Sequence, residues 1–211
     1  TFCIRWPMQR KRKLEQLLVV GNGSNMPGIG EYLTDRLTDE AIGLIENRGD
    51  QPWFMHLSHY AVHIPIECHA ELVEKYRRKS ERLALDKVDP FVAGERFPCK
   101  HLEDQNVLRR TVQSDPTYAA MVENVDWNIG RVLDSIEASG QMDNTIVIFF
   151  SDNGGLATSE GSPTCNAPLQ EGKGWMYEGG TREPLIVRWP GRIESGLVLD
   201  NVVTSTDFYP T

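Results

Sequence analysis

The chain has 211 residues, 40% hydrophobic and 25% charged, a globular balance large enough for one sizeable core and too short to require two. Its formal charge of -8 and pI of about 5.2 give no general attraction for nucleic acid or any other polyanion, so an anionic substrate would need a local cluster of cations. No apolar stretch approaches the roughly 18 residues that span a bilayer, and no signal peptide is recognisable.

Residues 1–30 read as an irregular lead-in, and because the first residue is Thr the true start is expected upstream. Gln9 to Lys13 reads QRKRK, which suits a targeting or anion-binding patch and equally a solvated segment. Gly21 to Gly30, GNGSNMPGIG, departs from G-x-G-x-x-G because Met26 takes the third glycine's place, and Pro27 favours irregular loop. From Tyr32 the pattern sharpens. Leu33, Leu37, Ala41, Leu44 and Ile45 recur at helical spacing, and Asn47-Arg48-Gly49 is a stop signal. Trp53 to Leu57 reads as a strand, and a second helix is predicted over His69 to Lys79. Residues 80–113 are charged and carry Pro90 and Pro98, which predicts an excursion over the surface.

The strongest helix signal follows. Asp115 can cap it, Pro116 suits its first position, and Tyr118, Met121, Val122, Val125, Ile129, Val132, Leu133 and Ile136 make one apolar stripe that ends at Ser139-Gly140. Thr145 to Phe150 then reads as a central strand, Ser151 to Thr181 as a long polar loop, and Pro184 to Trp189 as another strand. Helices alternating with short apolar runs predict an α/β layer: a mostly parallel sheet flanked by helices, its strands buried on both faces. The four cysteines, Cys3, Cys68, Cys99 and Cys165, contain no Cys-x-x-Cys pair, which argues against a zinc ribbon or a redox motif. They read as unpaired small hydrophobes and leave the compartment open.

In open α/β sheets, ligands bind beyond the carboxyl ends of the strands. Two predicted strands end there in polar residues: Ser58-His59-Tyr60-Ala61-Val62-His63-Ile64-Pro65 after the first, and Ser151-Asp152-Asn153-Gly154-Gly155 after the second. Asp152 and Asn153 offer hard oxygen donors suited to calcium or magnesium, although Asn-Gly is also among the commonest turn dipeptides. His63 could be a catalyst or a hydrogen-bonded structural histidine; Pro65 restricts Ile64 to extended geometry and so gives His63 a defined direction. Lys173, between two glycines, can lean into a site as a point charge or stand exposed in a loop.

Taken together and in this order, SHYAVHIP, FFSDNGG and GKGWMYEGGTREPLIVRWPG resemble the sulfatase family of the alkaline-phosphatase-like superfamily. TSTDFYPT at the end is similar to that family's approach to its next helix. The resemblance covers residues 31–211, as the later part of a catalytic domain, and is looser over 80–113. It implies a sulfuric ester hydrolase that holds a sulfate monoester with one calcium ion and a cluster of cations. By that likeness Asp152 and Asn153 are metal ligands. His63 contacts the sulfate and helps protonate the leaving oxygen, Lys173 binds the sulfate, and Arg182 braces the Glu-Gly-Gly loop. The substrate would be a sulfated small molecule or sulfated sugar, with no nucleic acid and no membrane span. The compartment would be periplasmic or extracellular, and the oligomeric state is left open.

The departures from the family are equally specific. Its members carry a cysteine (or serine) in Cys-x-Pro-Ser-Arg that becomes the formylglycine nucleophile. Here the frames are Cys3-Ile-Arg-Trp-Pro, Cys68-His-Ala-Glu-Leu, Cys99-Lys-His-Leu-Glu and Cys165-Asn-Ala-Pro-Leu, and none fits. The family's Asp-Asp pair and Lys-x-His element are missing too. The expectation is therefore a fragment lacking the formylglycine segment, or a degenerate relative. The alternatives are a phosphate or phosphonate ester hydrolase of the same superfamily and a non-catalytic anion-binding remnant.

Overall fold

A computed structural model describes residues 2–5, 16–20, 31–49, 51–97 and 99–208. Two of these segments fall inside the expected lead-in, where β1 (Phe2–Arg5) and β2 (Gln16–Val20) are strands, so residues 1–30 are not irregular throughout. The basic run Gln9 to Lys13 and the glycine-rich Gly21 to Gly30 lie outside the described residues. The chain continues through α1 (Leu33–Asn47), β3 (Trp53–Leu57), α2 (Ala70–Arg82), β4 (Phe91–Arg96), β5 (Asn106–Arg110), α3 (Pro116–Ala138), β6 (Ile146–Phe150), the single turn α4 (Glu178–Thr181) and β7 (Leu185–Arg188).

The main sheet has the order β2-β3-β1-β6-β7. β2 pairs parallel with β3, β1 runs antiparallel to both β3 and β6, and β7 runs antiparallel to β6. Hence β2, β3 and β6 point one way, but among the described strands only β2 and β3 are parallel neighbours, so the sheet is mixed rather than mostly parallel, because β1 and β7 run against the rest. The register decides where a site can form. Phe2 lies opposite Leu57 on one side and Phe149 on the other, so the carboxyl ends of β3 and β6 share one edge. With β1 between them they are two strand spacings apart, about 10 Å.

Trp53, Met55 and Leu57 on β3 are fully buried and meet Leu37, Ala41 and Ile45 of α1, Val132 and Ile136 of α3, and Val147 of β6. Phe54 and His56, on the opposite face of β3, are only half-buried, so the burial expected on both faces is found on one. α1 stops as predicted, with Gly49 at φ +68° just past its last turn. Leu44 lies at the margin of the apolar stripe and is 36% exposed.

α3 starts as its sequence dictates, the Asp115 carboxylate accepting the N–H groups of Thr117 and Tyr118 at 2.9 Å. Tyr118, Met121, Val132 and Ile136 are buried, but Val122 is 47% exposed and leaves the predicted stripe. In its place, two polar residues are buried on α3: Asn124 and Asn128. Their amides donate to Asp35 Oδ1 at 2.9 and 2.7 Å, and His69 Nε2 lies 2.7 Å from Asp35 Oδ2. Burial pushes the Asp35 carboxyl up, but the hydrogen bonds from Asn128, Asn124 and His69 outweigh it and hold the group below the usual carboxylate range. One carboxylate thus ties α1, α3 and the segment after β3 together.

Residues 80–113 are more than a surface excursion. β4 and β5 form an antiparallel hairpin in which Val107 and Arg110 are buried. Among the described residues no helix is long and apolar enough to cross a membrane, and Cys68, Cys99 and Cys165 are free thiols. Replacing Asp35 by Ala leaves the Asn124 and Asn128 amides buried without their acceptor. Denaturant titration should show a loss of about 2–3 kcal/mol, and conservative replacement by Asn should lose less.

Candidate active site

The long loop after β6 is held by backbone crossings rather than by a sheet. Gly154 N–H donates to Gly180 O at 3.1 Å, and Lys173 N–H donates to Gly155 O at 3.1 Å. Both crossings require glycine. A Cβ on Gly154 would overlap the Gly179 carbonyl, and one on Gly172 would overlap the Gly155 carbonyl and crowd Asn166. Asn166 staples the same crossing: its amide donates to Gly155 O and to Glu171 O at 2.9 Å, and its Oδ1 accepts from Gly155 N–H at 3.2 Å. This draws the Gly172-Lys173-Gly174 turn onto the turn that carries Asp152 and Asn153.

His63 and Lys173 meet. Lys173 Nζ lies 2.6 Å from His63 Nε2, across 110 residues of sequence. An ammonium has no lone pair, so Lys173 donates and Nε2 accepts. The ring proton is then on Nδ1, which lies 3.2 Å from the Ile64 carbonyl oxygen and donates to it. That bond supplies the orientation expected of the Ile64-Pro65 step. Asp152 and Asn153 sit at the carboxyl end of β6, Asp152 exposed, and their side chains make no hydrogen bond or ion pair among the described residues. The turn that carries them is joined to Lys173 through the Lys173–Gly155 backbone bond. Arg182 braces the Glu-Gly-Gly turn as expected, its Nη1 lying 3.2 Å from Glu178 Oε2.

Other acidic groups at this edge carry no motif of their own. Glu183 has one carboxylate oxygen buried without a partner among the described residues, and its carboxyl is pushed up by burial and then by the charge of Asp152. Glu160 Oε2 lies 3.6 Å from Lys173 Nζ and 3.9 Å from His63 Nε2. Glu160, Gly161 and Ser162 are all left-handed, with φ of +54°, +87° and +46°, a conformation that costs a non-glycine residue about 1–2 kcal/mol. The hairpin offsets it: Arg110 Nε donates to Ser162 O at 2.5 Å, and Ser162 N–H donates to Ser159 O at 2.8 Å. Glu171, also left-handed at φ +58°, is 1% exposed. Burial pushes its carboxyl up while Arg109, 3.4 Å away, pulls it back. Asn166, Glu160 and Glu171 were given no role from the sequence, whose only cue was the density of small polar residues in TSEGSPTCNAPLQEG, and Glu183 stood inside GKGWMYEGGTREPLIVRWPG with no role assigned to it.

His59 shares the segment with His63 but lies within the protein. Both its ring nitrogens are buried without a partner among the described residues, and burial pushes its imidazole down to about 4. Among the described residues no group of three or more His, Cys, Asp or Glu side chains is placed to hold a metal ion. The oxygens of Asp152, Asn153 and Glu183 are nonetheless hard donors, and the orphaned Glu183 oxygen beside a second carboxylate is an arrangement that a divalent cation relieves.

The family model described as Sulfatase matches residues 2–211. A sulfatase of Formosa agariphila is 37% identical over 206 residues, covering 91% of this chain and 32% of that protein. The uncharacterized sulfatase YdeN of Escherichia coli is 31% identical over 192 residues, covering 90% of this chain and 28% of its own. Among solved structures, Ps i-CgsB in complex with k-i-k-neocarrahexaose superposes with a TM-score of 0.65 at 28% identity, covering 90% of this chain and 35% of that one. The chain thus spans about a third of the length of these relatives.

Two outcomes follow from the packing. Gly154→Ala should cost about 3 kcal/mol or more by denaturant unfolding, because the added methyl meets backbone that cannot move aside. Gly130→Ala, at an open position inside α3, should instead stabilise by about 0.5–1 kcal/mol. Acidification probes His59. Its folded-state value lies below the ordinary 6.5, so the unfolded chain takes up the proton first. The stability it contributes is full above pH 6.5 and lost as the pH falls through about 4, by roughly 2–3 kcal/mol. Melting curves between those pH values should show the loss, and His59→Phe should flatten it.

Proposed function

The chain belongs to the sulfatase family, and from that membership we propose that its protein is a sulfuric ester hydrolase that cleaves a sulfate monoester with His63 and Lys173 as the anion-handling pair. The observation that carries this reading is the 2.6 Å contact between Lys173 Nζ and His63 Nε2 at the sheet edge where β3 and β6 end. Cleavage of a sulfate ester builds negative charge on the leaving oxygen and on the sulfuryl oxygens, and cations already in position stabilise that charge without reorganising.

In this reading each residue has its own role. Lys173, held from behind by its backbone bond to Gly155, turns its ammonium from His63 to a sulfuryl oxygen when the ester binds. That frees Nε2 of His63, while the Nδ1–H bond to Ile64 O keeps the ring in place, so a proton taken up on Nε2 can pass to the leaving oxygen. Asp152 and Asn153, with Glu183 beside them, would hold calcium, which when bound supplies further positive charge for the sulfate. So few protein ligands leave most of the ion's six to eight positions, roughly, to water or to other residues, and binding by these residues alone would be weak. None of the four cysteines stands in a Cys-x-Pro-Ser-Arg frame, so the formylglycine nucleophile in this reading comes from other residues. The 28% identity to a structure solved with an oligosaccharide supports a sulfated sugar as substrate.

The test is sulfate release from sulfated oligosaccharides and from an aryl sulfate by the full-length protein. Lys173→Ala and Asp152→Ala should each lose about 100-fold or more in kcat/KM, whereas the 211-residue chain by itself should release sulfate no faster than buffer. Undiminished activity in Lys173→Ala would remove the anion-site assignment. Turnover by the 211-residue chain would place the nucleophile within it.

A further inference from the structure

Glu160 is the feature of the site that neither the motifs nor the proposed chemistry uses. Its carboxylate stands within ion-pair distance of both groups that are to hold the sulfate, 3.6 Å from Lys173 Nζ and 3.9 Å from His63 Nε2. An ordinary exposed loop glutamate is free to face solvent. This one is aimed by a run of left-handed backbone, Glu160, Gly161 and Ser162, in which only the middle residue is glycine. Ser162 is buried, and its carbonyl is locked by Arg110, itself buried and anchored through Nη1 to Ser114 Oγ at 2.7 Å. The chain therefore holds a carboxylate against the Lys173 ammonium and beside the His63 ring by means of the hairpin, although a carboxylate there repels the anion those groups are to bind.

We propose that Glu160 is a built-in competitor for the anion position. It shares Lys173 and His63 with the substrate's sulfate, yields when the ester binds, and returns to help expel inorganic sulfate after cleavage. The inference rests on the assignment of His63 and Lys173 as the sulfate-handling pair. The chemistry gives it a purpose. Inorganic sulfate is a dianion, more strongly charged than the ester monoanion, so a site with only positive charges would hold its product more tightly than its substrate. A carboxylate on the same ammonium offsets that preference, and it weakens the dianion more than the monoanion. The ester keeps its additional contacts through the rest of the substrate, which free sulfate lacks. Glu160 thus discriminates between ester and product at the group they have in common.

Equilibrium binding of inorganic sulfate to the full-length protein, by calorimetry at fixed ionic strength, tests this without turnover. Wild type, Glu160→Gln, Lys173→Ala and the double variant are compared, with melting curves to show that each is folded. Glu160→Gln should bind sulfate roughly tenfold more tightly than wild type, and Lys173→Ala should abolish the gain. In steady-state assays the same Glu160→Gln variant should show a lower inhibition constant for sulfate. Glu160→Ala, which removes the charge and the amide alike, should behave as Glu160→Gln and guards against a new hydrogen bond from Gln. If Glu160→Gln binds sulfate no more tightly, or less, while Lys173→Ala still weakens binding, the competitor role is wrong and the anion site stands. Sulfate binding that ignores Lys173 in both backgrounds would refute the anion-site assignment and the competitor role with it.

Discussion

The site depends on backbone meeting backbone at glycine. Between β6 and β7 the chain has no sheet partner to satisfy its peptide groups, yet much of it is buried, including Leu156, Ala157, Thr158, Ser162, Thr164 and Glu171. The solution is a crossing in which Gly154 donates to Gly180, Lys173 to Gly155 and Gly179 to Gln170, with Asn166 bonded to three backbone groups at its centre. Carbonyls approach the glycine α-carbons so closely that any side chain there would displace a whole loop. Lys173 inherits its position from this arrangement. Its ammonium is flexible, but its backbone is bonded to the same turn that presents Asp152 and Asn153.

The sheet supplies the other half of the geometry. β1 lies antiparallel between β3 and β6, so both of those strands end at the same edge, and the segment with His63 leaves the sheet beside the turn with Asp152. His63 is then set by local means, through Nδ1 to the Ile64 carbonyl, while the segment as a whole is tied back to the helices by His69 and Asp35. The β4–β5 hairpin works from a third direction. Arg110 N–H bonds to Ala157 O at 2.8 Å and its side chain holds Ser162, so the polar loop is gripped by the hairpin on one side and by the glycine crossing on the other.

Buried polar groups are satisfied unevenly. Around Asp35, three donors reach one carboxylate and its charge is fully accommodated. In the loops and the hairpin the pattern differs: among the described residues the His59 nitrogens, one Glu171 oxygen, Arg109 Nε and one Glu183 oxygen are buried without partners, as is Ser135 Oγ on α3. Such groups are costly, and those on Glu171 and Glu183 lie in the loops that carry Lys173 and Asp152. Against a net charge of -8, the Lys173 ammonium beside His63 is a local positive charge among acidic neighbours, and the proposed anion site rests on it.

What the sequence determined by itself was local. The Asp115-Pro116 cap, the stop at Gly49 and the apolar runs of β3 and β6 follow from interactions within a few residues, and each appears where it was expected. His63, Asp152, Asn153 and Lys173 were singled out because each sits in a motif, and the α/β class was legible because helical and strand periods alternate. Tertiary structure alone decided the rest. The insertion of β1 between β3 and β6 depends on pairing between residues far apart in sequence, from Arg5 with Phe54 to Phe2 with Phe149, which no local pattern encodes. Asn124 and Asn128 interrupt an apolar stripe for the sake of Asp35 on another helix. Val122, formally part of that stripe, is left outside it. Glu160 and Glu171 read as loop carboxylates until left-handed backbone and a distant hairpin aim one at Lys173 and bury the other beside Arg109. Periodicity and capping are properties of neighbours along the chain; a charge acquires its role from neighbours in space, and only the folded chain supplies those.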